Sequence, residues 1–432
     1  MRKFILSIIP VFYIQIVITA QLACSPMHGY TEMREASIWI QTISESDVEL
    51  IYWPKENEKA RKNISIKTTE NTAFTGTFVC TALEPGTTYE YQVKVNELVE
   101  SKGKTFYTQP LWQYRTDPPE FRIALGSCSF INDPQYDRPG DPYGMKYEIF
   151  ENIYKEKPSA MLWLGDNVYF REVDLNSRYG MMYRYSELRK LPQLQNLLSA
   201  CPHYAIWDDH DFGPNDSNGS FIHKDWSLDV FKMFWSNNSY GIPGLAGGIT
   251  TQFTLGDMDF FFLDNRYFRT DPKTAGIEPT VLGKEQILWL VESLKYSKAP
   301  FKFVAIGGQV LNTDAKFENY AVYPQERDSL LKLIDSNQIN GVVFLTGDRH
   351  CTELSADTLP GGTVVYDLTV SPLTSKAYDN TTENNTNRIE GTIVATQNFA
   401  TIDISGKRKE RKLTIRVLDS QGKEQWIRTI AE

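Results

Sequence analysis

Cysteine is scarce in this chain: five residues in 432, an odd number, at Cys24, Cys80, Cys128, Cys201 and Cys351. A disulfide framework therefore cannot be its main source of stability. Positive charge is also short, with 45 Lys and Arg against 54 Asp and Glu and a net charge of −9. No stripe of Lys and Arg stands out, which argues against a nucleic-acid-binding surface, because phosphate-backbone binding rests on clustered cations. Long apolar runs are lacking beyond the first twenty residues, so nothing later reads as a bilayer span. At the start, Arg2 and Lys3 precede an apolar stretch over residues 4–20, broken by Pro10 and Gln15. That pattern resembles a secretory signal and implies export, to a periplasm, the cell surface or the medium. Gln21-Leu22-Ala23-Cys24 is close to a lipoprotein cleavage motif, so membrane attachment through a lipidated Cys24 stands beside plain cleavage after Ala20. Residues 1–24 are read as the signal. With Cys24 processed and Cys128 in use as a ligand, the other three cysteines read as buried small hydrophobes.

The length allows two or three domains. Residues 25–116 carry alternating, β-rich runs such as Ser37-Ile38-Trp39-Ile40-Gln41 and Tyr89-Glu90-Tyr91-Gln92-Val93-Lys94-Val95, separated by turn clusters such as Glu84-Pro85-Gly86-Thr87. Short strands at this spacing predict a small antiparallel sandwich, and the Leu-x-Pro-Gly-Thr-x-Tyr-x-Tyr-x-Val pattern resembles fibronectin type III modules. No titratable cluster falls there, which suits a positioning or surface-binding role. Thr116-Asp117-Pro118-Pro119 marks a linker. From residue 120 to 432, strand-like runs alternate with helical ones. In residues 284–294, Ile287, Leu288, Val291 and Leu294 are read onto one face; Leu330, Leu331 and Ile334 repeat the pattern. This order predicts an α/β sandwich with covered sheets. Residues 378–388 read as a loop, and residues 399–404 and 412–417 as a closing hairpin.

What is present is a series of polar clusters where short apolar runs stop. Residues 123–125 lead into Gly126-Ser127-Cys128, 161–164 into Gly165-Asp166-Asn167-Val168-Tyr169, 260–263 into Asp264-Asn265-Arg266, and 303–306 into Gly307-Gly308-Gln309. Two of the five histidines sit in acidic motifs of the same kind, Trp207-Asp208-Asp209-His210-Asp211 and Gly347-Asp348-Arg349-His350. Turn chemistry accounts for Gly, Asp and Asn at strand ends but not for His, Cys, Tyr and Arg there. In an α/β sheet the carboxyl ends of the strands converge on one crevice, so the pattern predicts a metal site. Cys128, Asp166 and Tyr169 would give a thiolate, carboxylate and phenolate set that suits ferric iron, though zinc also accepts Cys with carboxylate. Asp209, Gln309 and Asp348 offer oxygen alone, which suits calcium or magnesium. Arg266 has two readings, a planar fork for a phosphate oxygen or an ion-pair partner of Asp264. Asp211 reads as an orienting or capping residue, and His28, His203 and His223 as core or surface histidines.

In order and spacing, these motifs resemble the PhoD-like (alkaline phosphatase D) branch of the metallophosphatases, over nearly the whole chain. The resemblance implies a calcineurin-like metallophosphoesterase sandwich behind the small all-β domain. It also implies a dinuclear centre that hydrolyses phosphate mono- or diesters with metal-bound hydroxide, using Fe³⁺ and Ca²⁺, with Zn²⁺, Mn²⁺ or Mg²⁺ as the alternatives. Asp166 then corresponds to the bridging ligand, Cys128 and Tyr169 to iron ligands, and Asp209 to the position where broader relatives carry a metal-binding Asn. Asp348 and His350 would each serve one metal, and Gln309 stands where broader relatives use His. His210 resembles the histidine that contacts substrate and protonates the leaving group, with Asn265 and Arg266 as substrate-binding residues. The rival from another class is a surface adhesion or glycan-binding protein with a degenerate, metal-stabilised second domain; retention of His210 with both acidic sets argues against it.

Overall fold

Strands β1 (Met27–Thr31), β2 (Ala36–Gln41), β3 (Ser46–Pro54), β4 (Lys62–Thr68), β5 (Thr75–Cys80), β6 (Thr88–Val95) and β7 (Leu98–Tyr107) open the fold. The computed structural model describes residues 21–432, so most of the signal assignment lies outside the described residues. These strands form two antiparallel sheets, ordered β1-β2-β5 and β4-β3-β6-β7. Ile38, Leu50, Phe78, Tyr91 and Val93 fill the space between them.

Every residue of β2 is buried, although its alternating sequence would suit a strand with one wet face. The second face is covered by the following domain. Trp39 Nε1 donates to the Met233 carbonyl (2.8 Å), Gln41 Nε2 to Ser186 Oγ (2.8 Å), and Ser236 Oγ to Ser37 Oγ (2.9 Å). Met27, Tyr30 and Trp39 belong to the same apolar core as the large domain's sheets. The buried Arg189 guanidinium stacks between Trp39 and Trp235, 4.1 Å from the latter's ring. The sandwich is therefore built onto the large domain, which fits a positioning role.

The large domain begins at β8 (Phe121–Gly126) and continues through β9 (Ala160–Leu164), β10 (His203–Ile206), β11 (Thr251–Leu255), β12 (Met258–Phe262), β13 (Lys302–Ala305), β14 (Val342–Thr346), β15 (Glu353–Thr358) and β16 (Val364–Thr369). It closes with β17 (Asn398–Ser405), β18 (Lys412–Asp419) and β19 (Glu424–Ala431). Two six-stranded sheets result, β10-β9-β8-β17-β18-β19 and β11-β12-β13-β14-β16-β15. Within them β10, β9 and β8 run parallel, as do β12, β13, β14 and β16. Parallel strands need crossover helices, and buried runs such as Phe-Phe-Phe in β12 need cover on both faces. Leu125, Leu162, Phe260, Phe303, Leu345 and Ile402 share one core between the sheets. On the outer face of the second sheet, helices Lys284–Tyr296 and Pro324–Ser336 bury Ile287, Leu290, Leu294, Leu330 and Ile334. Leu288 is a correction: it is 59% exposed, and Leu290 takes the place expected of it. At 100° per residue, positions 287, 290, 291 and 294 form the stripe and 288 falls beside it.

β17 and β18 pair as the closing hairpin and attach through β17 to β8. Four α/β connections thus deliver their loops to one edge, where β8, β9, β10, β12, β13 and β14 all end.

Replacing the indole of Trp39 should open the seam between the domains. Trp39→Ala is expected to lower the unfolding free energy by about 3–5 kcal/mol, read from denaturant titration; an unchanged midpoint would mean the seam carries no stability.

Candidate metal centre

Four of the candidate ligands leave strand ends by turns with unusual backbone. Cys128 (φ 59°), Asp166 (51°), Asp348 (66°) and His350 (54°) all adopt the left-handed conformation that non-glycine residues avoid. Strain of this kind persists where surrounding structure imposes it, and it concentrates at functional sites. Two glycines make the convergence possible. A Cβ on Gly165, itself at φ 95°, would lie 2.8 Å from Asp208 Cβ, and one on Gly307 would lie 2.4 Å from Asp208 Oδ2. The β9, β10 and β13 ends could not otherwise approach so closely.

The strand ends bring together the first predicted set. Ligand atoms of Cys128, Asp166 and His350 lie within 4.8 Å of one another. Cys128 Sγ is 3.6 Å from Asp166 Oδ2, and Tyr169 OH is 3.3 Å from that oxygen and 3.4 Å from His350 Nε2. His350 Nδ1 lies 2.6 Å from the Lys376 carbonyl, which can only accept, so Nδ1 carries the hydrogen and the Nε2 lone pair faces the cluster. Burial lowers the His350 pKa, which favours this neutral form. Burial, followed by the nearby Asp348, pushes the Cys128 thiol up to about 12, while Ser371 and Ser127 hydroxyls bond its sulfur.

Asp166 also belongs with Asp209 and His210, and Asp209 with Asp208 and Asp348, each group within 4.8 Å. The sets therefore connect through Asp166 and Asp209. Asp208 Oδ2, Asp209 Oδ1 and Asn265 Oδ1 are buried acceptors with no hydrogen-bond donor among the described residues. Buried oxygens cost free energy when unpartnered, so a row of them beside three carboxylates fits a hard cation. The residues present thus fit metal binding, with Asp166 and Asp209 each belonging to more than one of these groups.

His210 lies open, its side chain 25% exposed, with its ring 4.2 Å from the Tyr169 ring and its backbone N–H donating to Asp166 Oδ1 (3.2 Å). Asp211 is buried and holds two ligand loops together. It accepts from the Asn167 backbone (2.9 Å) and side chain (2.7 Å) and from the Asp208 backbone (2.6 Å), in agreement with an orienting role.

Three expected ligand or substrate groups are engaged elsewhere. The Gln309 amide gives its N–H groups to Glu353 (2.7 Å) and Thr369 (2.9 Å), and its oxygen accepts from Asn312 (2.7 Å) and Arg349 (3.1 Å). Its neighbours satisfy it without a metal, so it is not arranged as a ligand. Arg266 is buried, with Nε 2.5 Å from Asp208 Oδ1 and its terminal nitrogens on Glu318 and the Ser217 carbonyl. Its ion-pair partners are Asp208, Asp209 and Glu318; Asp264 instead accepts the Arg266 backbone N–H (2.9 Å). Asn265 Nδ2 is likewise turned onto Asp208 (2.7 Å). These donors compensate a buried carboxylate instead of standing open for a phosphate oxygen.

Asp208 itself was missed by sequence reasoning, although its position in the Asp208-Asp209 pair made it an equal candidate. Glu318 carried no signal, because it comes from an irregular loop. Among the remaining histidines, His28 and His203 are buried and His223 stacks on Trp226 (4.1 Å), so all three are structural. Cys80, Cys201 and Cys351 are buried free thiols, as expected.

Residues 124–415 match the domain family described as PhoD-like phosphatase, and residues 19–108 a domain of unknown function (DUF7800). Alkaline phosphatase D of Bacillus subtilis (strain 168) is 25% identical over 318 residues, 62% of this chain; the match spans about half (52%) of that relative's length. A solved structure of PhoD superposes with a TM-score of 0.76 at 17% identity, over 98% of this chain and 93% of that one. The purple acid phosphatase PPD1 from yellow lupin (Lupinus luteus) seeds superposes at 0.69 with 12% identity, over 94% and 74%. These likenesses show a common fold.

The acidic cluster predicts a pH response. Asp348 is pushed up to about 8 by burial, then by Asp208 and Asp209. Between its ordinary value of 3.8 and about 8, the folded metal-free protein holds a proton that the unfolded chain has released. Metal-free stability should therefore fall as pH rises through that window. A bound cation, which needs ionised ligands, should offset the loss. Thermal melts of the metal-free protein at about pH 5 and pH 8 check this: the Tm should be lower at the higher pH, and a Tm rising with pH would contradict it.

Proposed function

The chain belongs to the PhoD-like phosphatase family, and from that membership and the geometry of the strand-end cluster we propose that it is a metal-dependent hydrolase of phosphate esters. The observation that carries the reading is the placement of Cys128, Asp166, Tyr169 and His350 in one pocket that shares Asp166 with Asp209 and His210. Thiolate, phenolate and imidazole beside carboxylate favour ferric iron in that pocket. The Asp208, Asp209 and Asp348 oxygens favour calcium, with zinc, manganese or magnesium as outcomes that metal analysis would distinguish. Bound there, such ions would neutralise phosphoryl charge and acidify water at ambient pH.

The chain's own residues supply the rest. Asp166 holds the two ligand sets in register. Asp211 ties the loop bearing Asp166 and Tyr169 to the one bearing Asp209 and His210. His210, a partly exposed titratable group at the cluster's rim, would contact the ester and hand a proton to the departing alkoxide oxygen, which acquires negative charge as its bond to phosphorus breaks.

Export is proposed from the basic and apolar N-terminus. Cys24 is buried in the core shared by the two domains. Its neighbours are fixed, with the Ala23 N–H on the Gln41 carbonyl (2.8 Å) and the Ser25 N–H on Gln195 (2.7 Å). An acyl chain on that sulfur would have to displace this packing, which favours cleavage after Ala20 over lipidation.

Metal content of the purified protein, measured together with turnover of a nitrophenyl phosphate and its bis-ester, tests the central reading. A protein that binds no metal and turns over neither ester would defeat it. A tyrosinate on Fe³⁺ should colour the protein, and Tyr169→Phe should remove the visible band; a colourless, fully active wild type would overturn the iron assignment. For His210→Ala, both metals should stay bound while turnover falls by about 10² to 10⁴ on alkyl esters and by less on nitrophenyl esters, whose leaving groups need no proton. Loss of metal in that variant would make His210 a ligand instead.

A further inference from the structure

Between Asp348 and His350 stands Arg349, which the sequence places inside the ligand motif and the structure turns away from the ligands. Its guanidinium is buried, 3% exposed, against a 7% exposed Glu383 carboxylate with which it forms an ion pair. The other terminal nitrogen donates to Gln309 Oε1 (3.1 Å) and Asn319 Oδ1 (2.9 Å), and the group packs over the Phe317 ring. All of these partners come from outside the ligand turn. Gln309 follows the end of β13, Asn319 lies in the following loop, and Glu383 belongs to the irregular segment 374–388.

That segment lies along the same turn. Asn380 Nδ2 donates to the Arg349 carbonyl (3.0 Å), and the Tyr378 N–H donates to the His350 carbonyl (2.9 Å). The Lys376 carbonyl fixes the His350 ring. The turn so gripped is one in which both residues, at φ 66° and 54°, sit in the left-handed conformation that is uncommon for non-glycine residues. Such a turn relaxes unless its surroundings hold it. Gln309, expected as a ligand, finds its place here: its amide links Arg349 to Glu353 and Thr369.

We propose that Arg349 is a positioning residue for both metal pockets at once: paired with Glu383 and braced by Gln309, it holds the strained turn that aims Asp348 into one pocket and His350 into the other. Asp348 groups with Asp208 and Asp209, and His350 with Cys128 and Asp166, so a fault in the turn should be felt by both ions. The proposal rests on the metal-binding part of the functional reading, and it is independent of which ester is hydrolysed.

The test is metal affinity. Apoprotein of the wild type, Glu383→Gln, Arg349→Lys and Arg349→Met is titrated with Fe³⁺ held by a competing chelator, and separately with Ca²⁺. Outer partners of metal ligands typically contribute about 10- to 100-fold in affinity. Glu383→Gln, the mildest change, should lose affinity for both ions by that order, with Arg349→Lys intermediate and Arg349→Met the most affected. The Tm of each metal-free variant separates a general structural effect: a purely structural arginine would lower the Tm and leave the folded protein's affinities unchanged. Affinities for both ions within about two-fold of wild type in folded Glu383→Gln would overturn the proposal, as would loss confined to one ion. If Arg349→Met does not fold, Glu383→Gln and Arg349→Lys decide. A wild type that binds neither ion defeats this proposal together with the functional reading. A wild type that binds both and hydrolyses no ester defeats only the latter.

Discussion

Five carboxylates, Asp166, Asp208, Asp209, Asp211 and Asp348, are packed beyond the ends of three strands, β9, β10 and β14, and their mutual repulsion in a desolvated space is the constraint the rest of the site answers. Burial raises the pKa of four of them, with neighbouring carboxylates adding to it. At Asp209 burial pushes the same way, but His210, Arg266 and the Asp216 N–H together hold its carboxyl below the usual range. A buried charge is tolerated when it is paired and hydrogen-bonded. The protein supplies Arg266 for this, and Arg266 is shared among Asp208, Asp209 and Glu318. Cations from outside are the natural complement to the remainder. The acidic cluster thereby becomes a reason for the fold to bind metal and not only a place where metal could fit.

Much of the surrounding architecture serves to hold that cluster against its own repulsion. Parallel strands deliver the ligands on short turns. Gly165 and Gly307 let the turns approach Asp208, and Asp211 ties two of them together through three hydrogen bonds. The segment 374–388 braces the Asp348 and His350 turn from the other side. The N-terminal sandwich, through Trp39 and Gln41, closes a face of the large domain that would otherwise expose apolar surface. Met27, Tyr30 and Trp39 make its apolar interior continuous with that of the large domain.

The two-part architecture and the strand ends were legible in the sequence because short apolar runs and their terminating residues obey local rules. Cys128, Tyr169 and His350 stood out because cysteine, tyrosine and histidine have no place in ordinary turns, and Asp166, Asp209 and Asp348 because they share strand ends with such residues. The structure departs from the sequence-based expectation in two ways. Leu288 was misplaced by a simple error of helical phase. Gln309, Asn265 and Arg266 were read from their strand-end positions, whereas their orientation depends on long-range partners, Glu353, Asp208 and Glu318, that local sequence does not reveal. Asp208 was passed over because two adjacent aspartates look alike until the backbone assigns each a direction. The all-buried strand β2 illustrates the same limit: alternation shows that a strand has two faces, and only docking shows that both are covered.

The proposed two-ion site organised around Asp166 is tested most directly by anomalous diffraction from crystals of the purified holoprotein, collected on either side of the iron edge. An iron peak is expected within bonding distance of Cys128 Sγ, the Tyr169 hydroxyl, His350 Nε2 and Asp166, and a second, lighter ion among the oxygens of Asp208, Asp209 and Asp348 that shares Asp166 with the first. Absence of metal density at these residues, or a single ion held without Asp166, would contradict it.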